Sequence, residues 1–365
     1  MIPLKKENVE CVRAVAYKSV SRFCAFSLSL HDTSVLKGIA ICAMLCHHLF
    51  YQSPGSGYVV WHLAMLGKVC VSIFLLLSGY GLTIQMKKLV TNSDGEIRGG
   101  QILRFLLKRY TKFYLNYWVV FLIFVPIGVF CFDRPLTIPY GESANIPLAL
   151  LKDFMGLQEF HSYNITWWFN QLIIILWLIF PILFRMINNK YLRWIVLPVS
   201  MIIFRTHELA FVLGIYLALY QGVIDVVIRK MSKRGLLVLL TVMFVGLCVN
   251  RECAMVGRMA GVNADPYIAF ILACMVAIMT KKMHYQMPLM TYLGKHSMNM
   301  YMVHTFIFSY FFHDFIYGFK YPILIFLALL LSSLAVSVVL ETLKTKLKFY
   351  VLVSRITNKL SAQPY

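Results

Sequence analysis

Apolar residues fill this chain in long runs, broken by short clusters of Lys, Arg, Asn, Gly and Pro. The runs lie near 35–51, 59–84, 113–132, 168–187, 191–204, 209–227, 236–249, 267–280, 287–312 and 321–340. A bilayer core about 30 Å thick takes about 20 mostly apolar residues per helix. A segment inside it must satisfy its own backbone, so each run predicts a helix rather than a strand. The fifth, seventh and eighth runs are short for a full crossing. The pattern predicts an all-α polytopic membrane protein, a bundle of about ten transmembrane helices. One membrane domain is expected over residues 35–340, with a cytoplasmic leader at 1–34 and a cytoplasmic basic tail at 341–365. The longest connection, 133–167, carries Pro135, Pro139, Gly141 and Pro147 and then an aromatic stretch, and is long enough to fold over the outer mouth of the bundle.

Composition agrees and narrows the class. In 365 residues the hydrophobic share is 60% and the charged share 14%, whereas globular domains hold about 45–50% and about 25%. The 35 Lys and Arg exceed the 15 Asp and Glu to give +20. A chain this apolar is not a soluble nucleic-acid binder, so its partners are membrane lipids and the basic excess must report threading. With a cytoplasmic N-terminus, inner segments hold about four times as many Lys and Arg as outer ones, as correct threading demands. Both termini are therefore expected in the cytoplasm, with the chain in the inner (plasma) membrane. Lys5, Lys6, Arg13, Lys18 and Arg22 precede any sustained apolar run and fit an inside-facing leader better than a cleaved export signal. The nine cysteines form no Cys-x-x-Cys pair and read as small core residues. A Cys248–Cys253 disulfide is the one alternative, and no metal site is expected.

Ionisable groups within spanning helices cost several kcal/mol unless paired or wetted, so each is a candidate for function. In the first run Lys37 and His48 are eleven residues apart. That returns them to within about 20° of one helix face, separated by about 16 Å of rise. A cation at the inner end of this groove and a histidine at its outer end suit binding and proton abstraction. The plainer alternative is that Lys37 snorkels to headgroups and that His47 and His48 mark the interface. His47 is turned by about 100° and should point elsewhere. Ser78-Gly79-Tyr80 ends an apolar helix that also carries Lys68, and its small residues suit close packing. Residues 104–112 place Arg104, Lys108, Arg109 and Lys112 at the entry to the third helix, as a lipid-phosphate anchor or an anion site. Residues 292–304 are dense in polar groups and predict a wet interior. No phosphate-binding glycine loop, His-x-x-x-His zinc site or Gly-x-Ser-x-Gly elbow occurs.

Five landmarks in order resemble acyltransferase family three, a family of integral-membrane enzymes, across nearly the whole stretch from Val35 to Leu340. They are Lys37 with His48, then Phe74-Leu75-Leu76-Leu77-Ser78-Gly79-Tyr80, then Arg109-Tyr110-Thr111-Lys112, with Lys in place of a second Arg. Trp168-Phe169 followed by Pro181, and Leu293-Gly294-Lys295-His296-Ser297 with Tyr301-Met302-Val303-His304, complete the set. The resemblance implies transfer of an acyl group, usually acetyl, from cytoplasmic acyl-CoA to a carbohydrate hydroxyl. Acetyl-CoA is then a donor substrate, and no permanently bound cofactor is expected. His48 and Lys37 become the catalytic expectation, with Arg109, Lys112 and Lys37 on the donor. Ser78, Tyr80, Trp168, Ser297, Tyr301 and His304 are expected to line a polar shaft. Two features depart from the family pattern: Ile173 and Ile174 stand where some members carry an acidic residue, and Leu115 where a proline is usual. A glycan transporter or flippase would share the helices and basic inner loops, but no repeat or matching pair of Gly/Pro-broken helices is visible.

Overall fold

The first helix starts where its sequence supplies a cap. The Ser29 backbone N–H donates to Asp32 Oδ2 at 2.7 Å, and the Asp32 N–H donates to Ser29 Oγ at 3.1 Å. This reciprocal pair satisfies two donors that a helix start leaves open, so α1 runs Leu30–Phe50, several residues ahead of the apolar run that predicted it. The computed structural model describes residues 27–52, 56–93, 99–158, 161–204, 206–256 and 264–362. The expected leader up to residue 26, with Cys11 and Cys24, lies outside them.

All regular structure among the described residues is helical. After α1 come α2 (Tyr58–Gly67), α3 (Val69–Asn92) and α4 (Gly99–Cys131). The 133–167 connection holds α5 (Thr137–Tyr140) and α6 (Ile146–Phe154). Then follow α7 (Trp168–Asn188), α8 (Arg193–Ile203), α9 (Leu209–Arg229), α10 (Lys233–Val256), α11 (Asp265–Lys282) and α12 (Pro288–Thr305). A π-helical turn at Phe306–Phe311, α13 (His313–Tyr317), α14 (Pro322–Lys346) and α15 (Phe349–Ala362) complete the order.

Seven stretches are long and apolar enough to cross a membrane: Leu30–Phe50, Tyr58–Asn92, Gly99–Cys131, Ile165–Asn188, Leu209–Val226, Arg234–Cys253 and Pro322–Lys346. The other three expected runs are helices that fall short. α8 has 11 residues, while α11 starts on an aspartate and α12 carries Lys295, His296, Asn299 and His304. One further expectation changes: the second run is two helices that meet at Lys68, although together they make one of the seven apolar stretches. Within the basic tail, residues 349–362 form α15. Cys248 and Cys253 are both free, so the alternative disulfide is absent.

The chain divides into two compact units. The first comprises Met1–Ala40, Lys68–Arg98 and Phe180–Gly294, and the second Ile41–Gly67, Gly99–Ile179 and Lys295–Tyr365. In the first, α3 and α9 pack most closely. A Cβ on Gly79 would collide with the Phe211 carbonyl, and one on Gly214 with the Leu76 carbonyl. Small residues let backbones approach where lipid leaves no hydrophobic drive between helices. In the second, Tyr117, Trp167 and Phe306 are fully buried and form a continuous series of ring contacts with Phe121 and Phe124. Leu178, Ile182, Val242, Leu331 and Val339 are exposed, the surface a bilayer solvates.

Candidate functional site

In the second unit, the last turns of α1 and α12 bring two histidines together. His48 and His304 have ring centroids 5.0 Å apart, tilted by 40°. His47 is turned away, as the helical rotation requires. Its Nδ1 lies 2.8 Å from the Ala64 carbonyl and its ring stacks on Tyr51 at 4.8 Å. His48 is half-buried, whereas His304 is fully buried and held from both sides. His304 Nδ1 is 2.8 Å from the Tyr301 carbonyl, and Nε2 is 3.3 Å from Thr305 Oγ1.

From Thr305 a polar chain leads away from the rings. Thr305 Oγ1 meets Thr166 Oγ1 at 3.0 Å, and Thr166 Oγ1 donates to Asn164 Oδ1 at 2.7 Å. The Asn164 amide is oriented by its neighbours. Its Oδ1 accepts the Thr166 backbone N–H at 3.0 Å and its Nδ2 donates to the Met302 carbonyl at 3.3 Å. Tyr301 donates to the Thr166 carbonyl at 2.8 Å and packs against Phe169 at 5.8 Å. Trp168 is half-buried beside Phe169. The helix changes to π geometry at Phe306, right after Thr305. Such turns disturb the i→i−4 ladder and concentrate at functional sites.

The basic entry to α4 is divided. The Arg109 guanidinium lies 4.6 Å over the Trp177 ring, and Lys112 is exposed. Higher on α4, Asn116 joins a cluster that sequence reasoning did not find. Lys344 Nζ, 2% exposed, donates to Asn116 Oδ1 at 3.0 Å, Asn299 Oδ1 at 2.9 Å and Glu341 Oε1 at 3.2 Å. Asn299 Nδ2 returns a bond to Glu341 at 2.6 Å, and Tyr350 donates to the same carboxylate. Ser297 is buried on the same helix as Asn299.

A second missed cluster lies in the 133–167 connection. Asp153 on α6 is 1% exposed. Its Oδ2 accepts from the Tyr140 hydroxyl at 2.8 Å and from the Tyr163 backbone N–H at 2.5 Å. Burial pushes this carboxyl up from 3.8 to about 6, against the lowering effect of those hydrogen bonds. Nearby, the Arg134 guanidinium lies 3.6 Å over the Tyr310 ring.

Lys37, Ser78 and Tyr80 belong to the first unit. Lys37 is half-buried on α1, and the neighbouring Gly38 has no room for a Cβ against the Met290 carbonyl. Tyr80 accepts the Leu28 N–H at 2.9 Å and donates to Gln221 at 3.1 Å, and Ser78 is buried. Also in this unit Arg251 pairs with Asp265 at 2.5 Å, and His207 lies 3.7 Å from Asp265 and 3.1 Å from Ser72 Oγ. Burial holds the His207 imidazole below its ordinary value, opposed by Asp265. No group of three or more His, Cys, Asp or Glu among the described residues is arranged to hold a metal ion.

Long apolar helices with buried histidines, amides and hydroxyls define an integral membrane protein with a polar interior. The profile of the acyltransferase domain, acyltransferase family three, matches residues 31–342, and the chain belongs to that family. It is a membrane acyltransferase. No curated protein and no solved structure matches it significantly.

Proposed function

We propose that the chain moves an acyl group, acetyl by the habit of its family, from cytoplasmic acyl-CoA to a hydroxyl of a cell-surface or exported polysaccharide. The observation that carries this reading is the His48–His304 pair, set within the matched acyltransferase stretch. An imidazole with a bare nitrogen removes a proton from an attacking hydroxyl, which typically speeds such a step 10²–10⁴-fold. The acceptor oxygen bonds to the thioester carbonyl carbon, the carbon–sulfur bond breaks, and the proton held by His48 returns to the CoA thiolate. Lys37 lies on the same continuous helix as His48, eleven residues nearer the end assigned to the cytoplasm, and suits the donor's anionic portion. Arg109 and Lys112 suit its phosphates, Lys112 as a point charge and Arg109 from its aromatic seat. Both termini are assigned to the cytoplasm on the Lys/Arg asymmetry of the chain, and the plasma membrane follows from the proposed cell-surface acceptor. Tyr80 is held within the first unit by the Leu28 N–H and Gln221.

Purified protein in lipid nanodiscs should release CoA from acetyl-CoA when supplied with polysaccharide from its native host. Polysaccharide flux without CoA release would point to a transporter. Lys37→Ala should raise the acetyl-CoA KM by about tenfold, the effect of a lost charged hydrogen bond, and change kcat little. An unchanged dependence on acetyl-CoA concentration would remove Lys37 from the donor site.

A further inference from the structure

The end of the chain leaves a groove beside α4. α14 stops at Lys346, the chain turns with Lys348 at a φ of 52°, and α15 starts at Phe349 and packs against α4. The groove has a volume of about 360 Å³. Val119, Leu122 and Ile123 line it from α4, and Leu343, Leu347 and Leu352 line it from α14, the turn and α15. All six belong to the second unit, and Leu122, Leu343, Leu347 and Leu352 are exposed. In a chain that spans a bilayer, an exposed apolar trough of this kind is solvated by acyl chains.

Charge stands at one end of the trough. Lys344 borders it but is spent, because its three hydrogens go to Asn116, Asn299 and Glu341. The exposed cations are on α15. Leu352, Arg355 and Lys359 follow one another at i, i+3 and i+7, the spacing of a single helix face. Val353 and Thr357, on the other side of α15, are buried, so this face is turned outward, with Arg355 and Lys359 exposed. The helix rises about 4.5 Å from Leu352 to Arg355 and about 10 Å to Lys359. No Asp or Glu lies on α15 to pair them. From residue 341 to the end the one acid is Glu341, which is engaged by Lys344 and Tyr350.

We propose that this groove is a binding site for one anionic phospholipid. An acyl chain lies in the trough between Leu122 and Leu352, and the phosphodiester meets Arg355 and Lys359 on the helix that forms part of the wall. An apolar trough alone takes any chain, and two cations alone take any anion. Side by side they select a molecule that is both. A zwitterionic lipid fills the trough equally well but brings its own cation against Arg355 and Lys359, whereas an acidic peptide matches the cations and leaves the trough empty. A lipid held in this way also ties α15 to α4, since it binds only where the two helices are packed together. The site does not depend on the acceptor proposed above.

The test is native mass spectrometry of the full chain, released from detergent micelles that hold equal amounts of dioleoyl phosphatidylglycerol and dioleoyl phosphatidylcholine. Wild type should retain phosphatidylglycerol over phosphatidylcholine by about tenfold or more, the effect expected for two surface cations. Arg355→Gln combined with Lys359→Gln should bring the two lipids close to parity. Arg185→Gln combined with Lys190→Gln removes the same charge from the first unit and should leave the ratio within about twofold of wild type. Val119→Trp, which fills the trough from α4, should weaken phosphatidylglycerol about tenfold with both cations in place. Variants are compared at matched denaturation midpoints, and the wild-type ratio and the α15 pair decide the matter if Val119→Trp does not fold. Equal retention of the two lipids by wild type would overturn the site, as would a ratio that falls as far in the Arg185 and Lys190 variant as in the α15 variant. Phosphatidylglycerol held by folded Val119→Trp as strongly as by wild type would overturn the groove as the seat of the chain.

Discussion

Two buried polar clusters share helix α12 and its surroundings yet are built to opposite ends. Around Lys344, an ammonium with three hydrogens meets three acceptors, on Asn116, Asn299 and Glu341, and one acceptor is a carboxylate of opposite charge. Every hydrogen has a place. Around His304, four links share three hydrogens when the imidazole is neutral. A saturated cluster resists change and ties α4, α12 and α14 together. A cluster one hydrogen short leaves a link open close to His48. Hydrogen count, more than burial or polarity, separates the two clusters.

The sharpest way to break this contrast is to unsettle the saturated cluster. Lys344→Met leaves Glu341 with Asn299 and Tyr350 but no cation. Removing one partner of a buried pair costs about 3–5 kcal/mol, and the lower end applies because the Glu341 side chain is 33% exposed. The denaturation midpoint in detergent should fall clearly, and adding Glu341→Gln should recover most of the loss. If single and double variants unfold alike, the cluster is not acting as a pair.

Asp153 sharpens the comparison from the loop side. Its carboxyl titrates near 6 in the folded chain against 3.8 for the free group, so the folded state binds its proton more tightly than the unfolded state does. The associated stability is full below pH 3.8 and is lost as pH rises through about 6. The two-unit difference amounts to about 3 kcal/mol. Wild type should therefore lose thermal stability between about pH 4 and about pH 7. Asp153→Asn, which keeps an oxygen for Tyr140 and Tyr163, should be flat over that range, and equal slopes would assign the titration elsewhere.

The apolar runs made the helices legible because hydrocarbon admits little else. They overstated the spans where polar residues interrupt, as along α12 with Lys295, His296 and Asn299. Lys37 and His48 were legible because one helix carries both, and eleven residues is a helical period. The partner of His48 was not. His304 stands far off in sequence, and only tertiary packing sets its ring beside the first helix. Asn164 and Thr166 looked like loop residues before a tryptophan pair, and Thr305 like the end of a helix. Their meaning lies in which atom faces which, and periodicity does not carry that. Asp153 was equally silent, one carboxylate on a short helix whose partners come from three separate stretches.

The central claim is that this membrane acyltransferase modifies a surface glycan through His48. The direct measurement is proton NMR of the cell-surface polysaccharide from the native host after deletion of the gene, with wild type or His48→Ala returned at equal membrane levels. An O-acetyl signal that disappears on deletion, returns with wild type and stays absent with His48→Ala is the predicted result. An acetyl signal that survives deletion would contradict the acceptor, and one that His48→Ala restores in full would contradict the base.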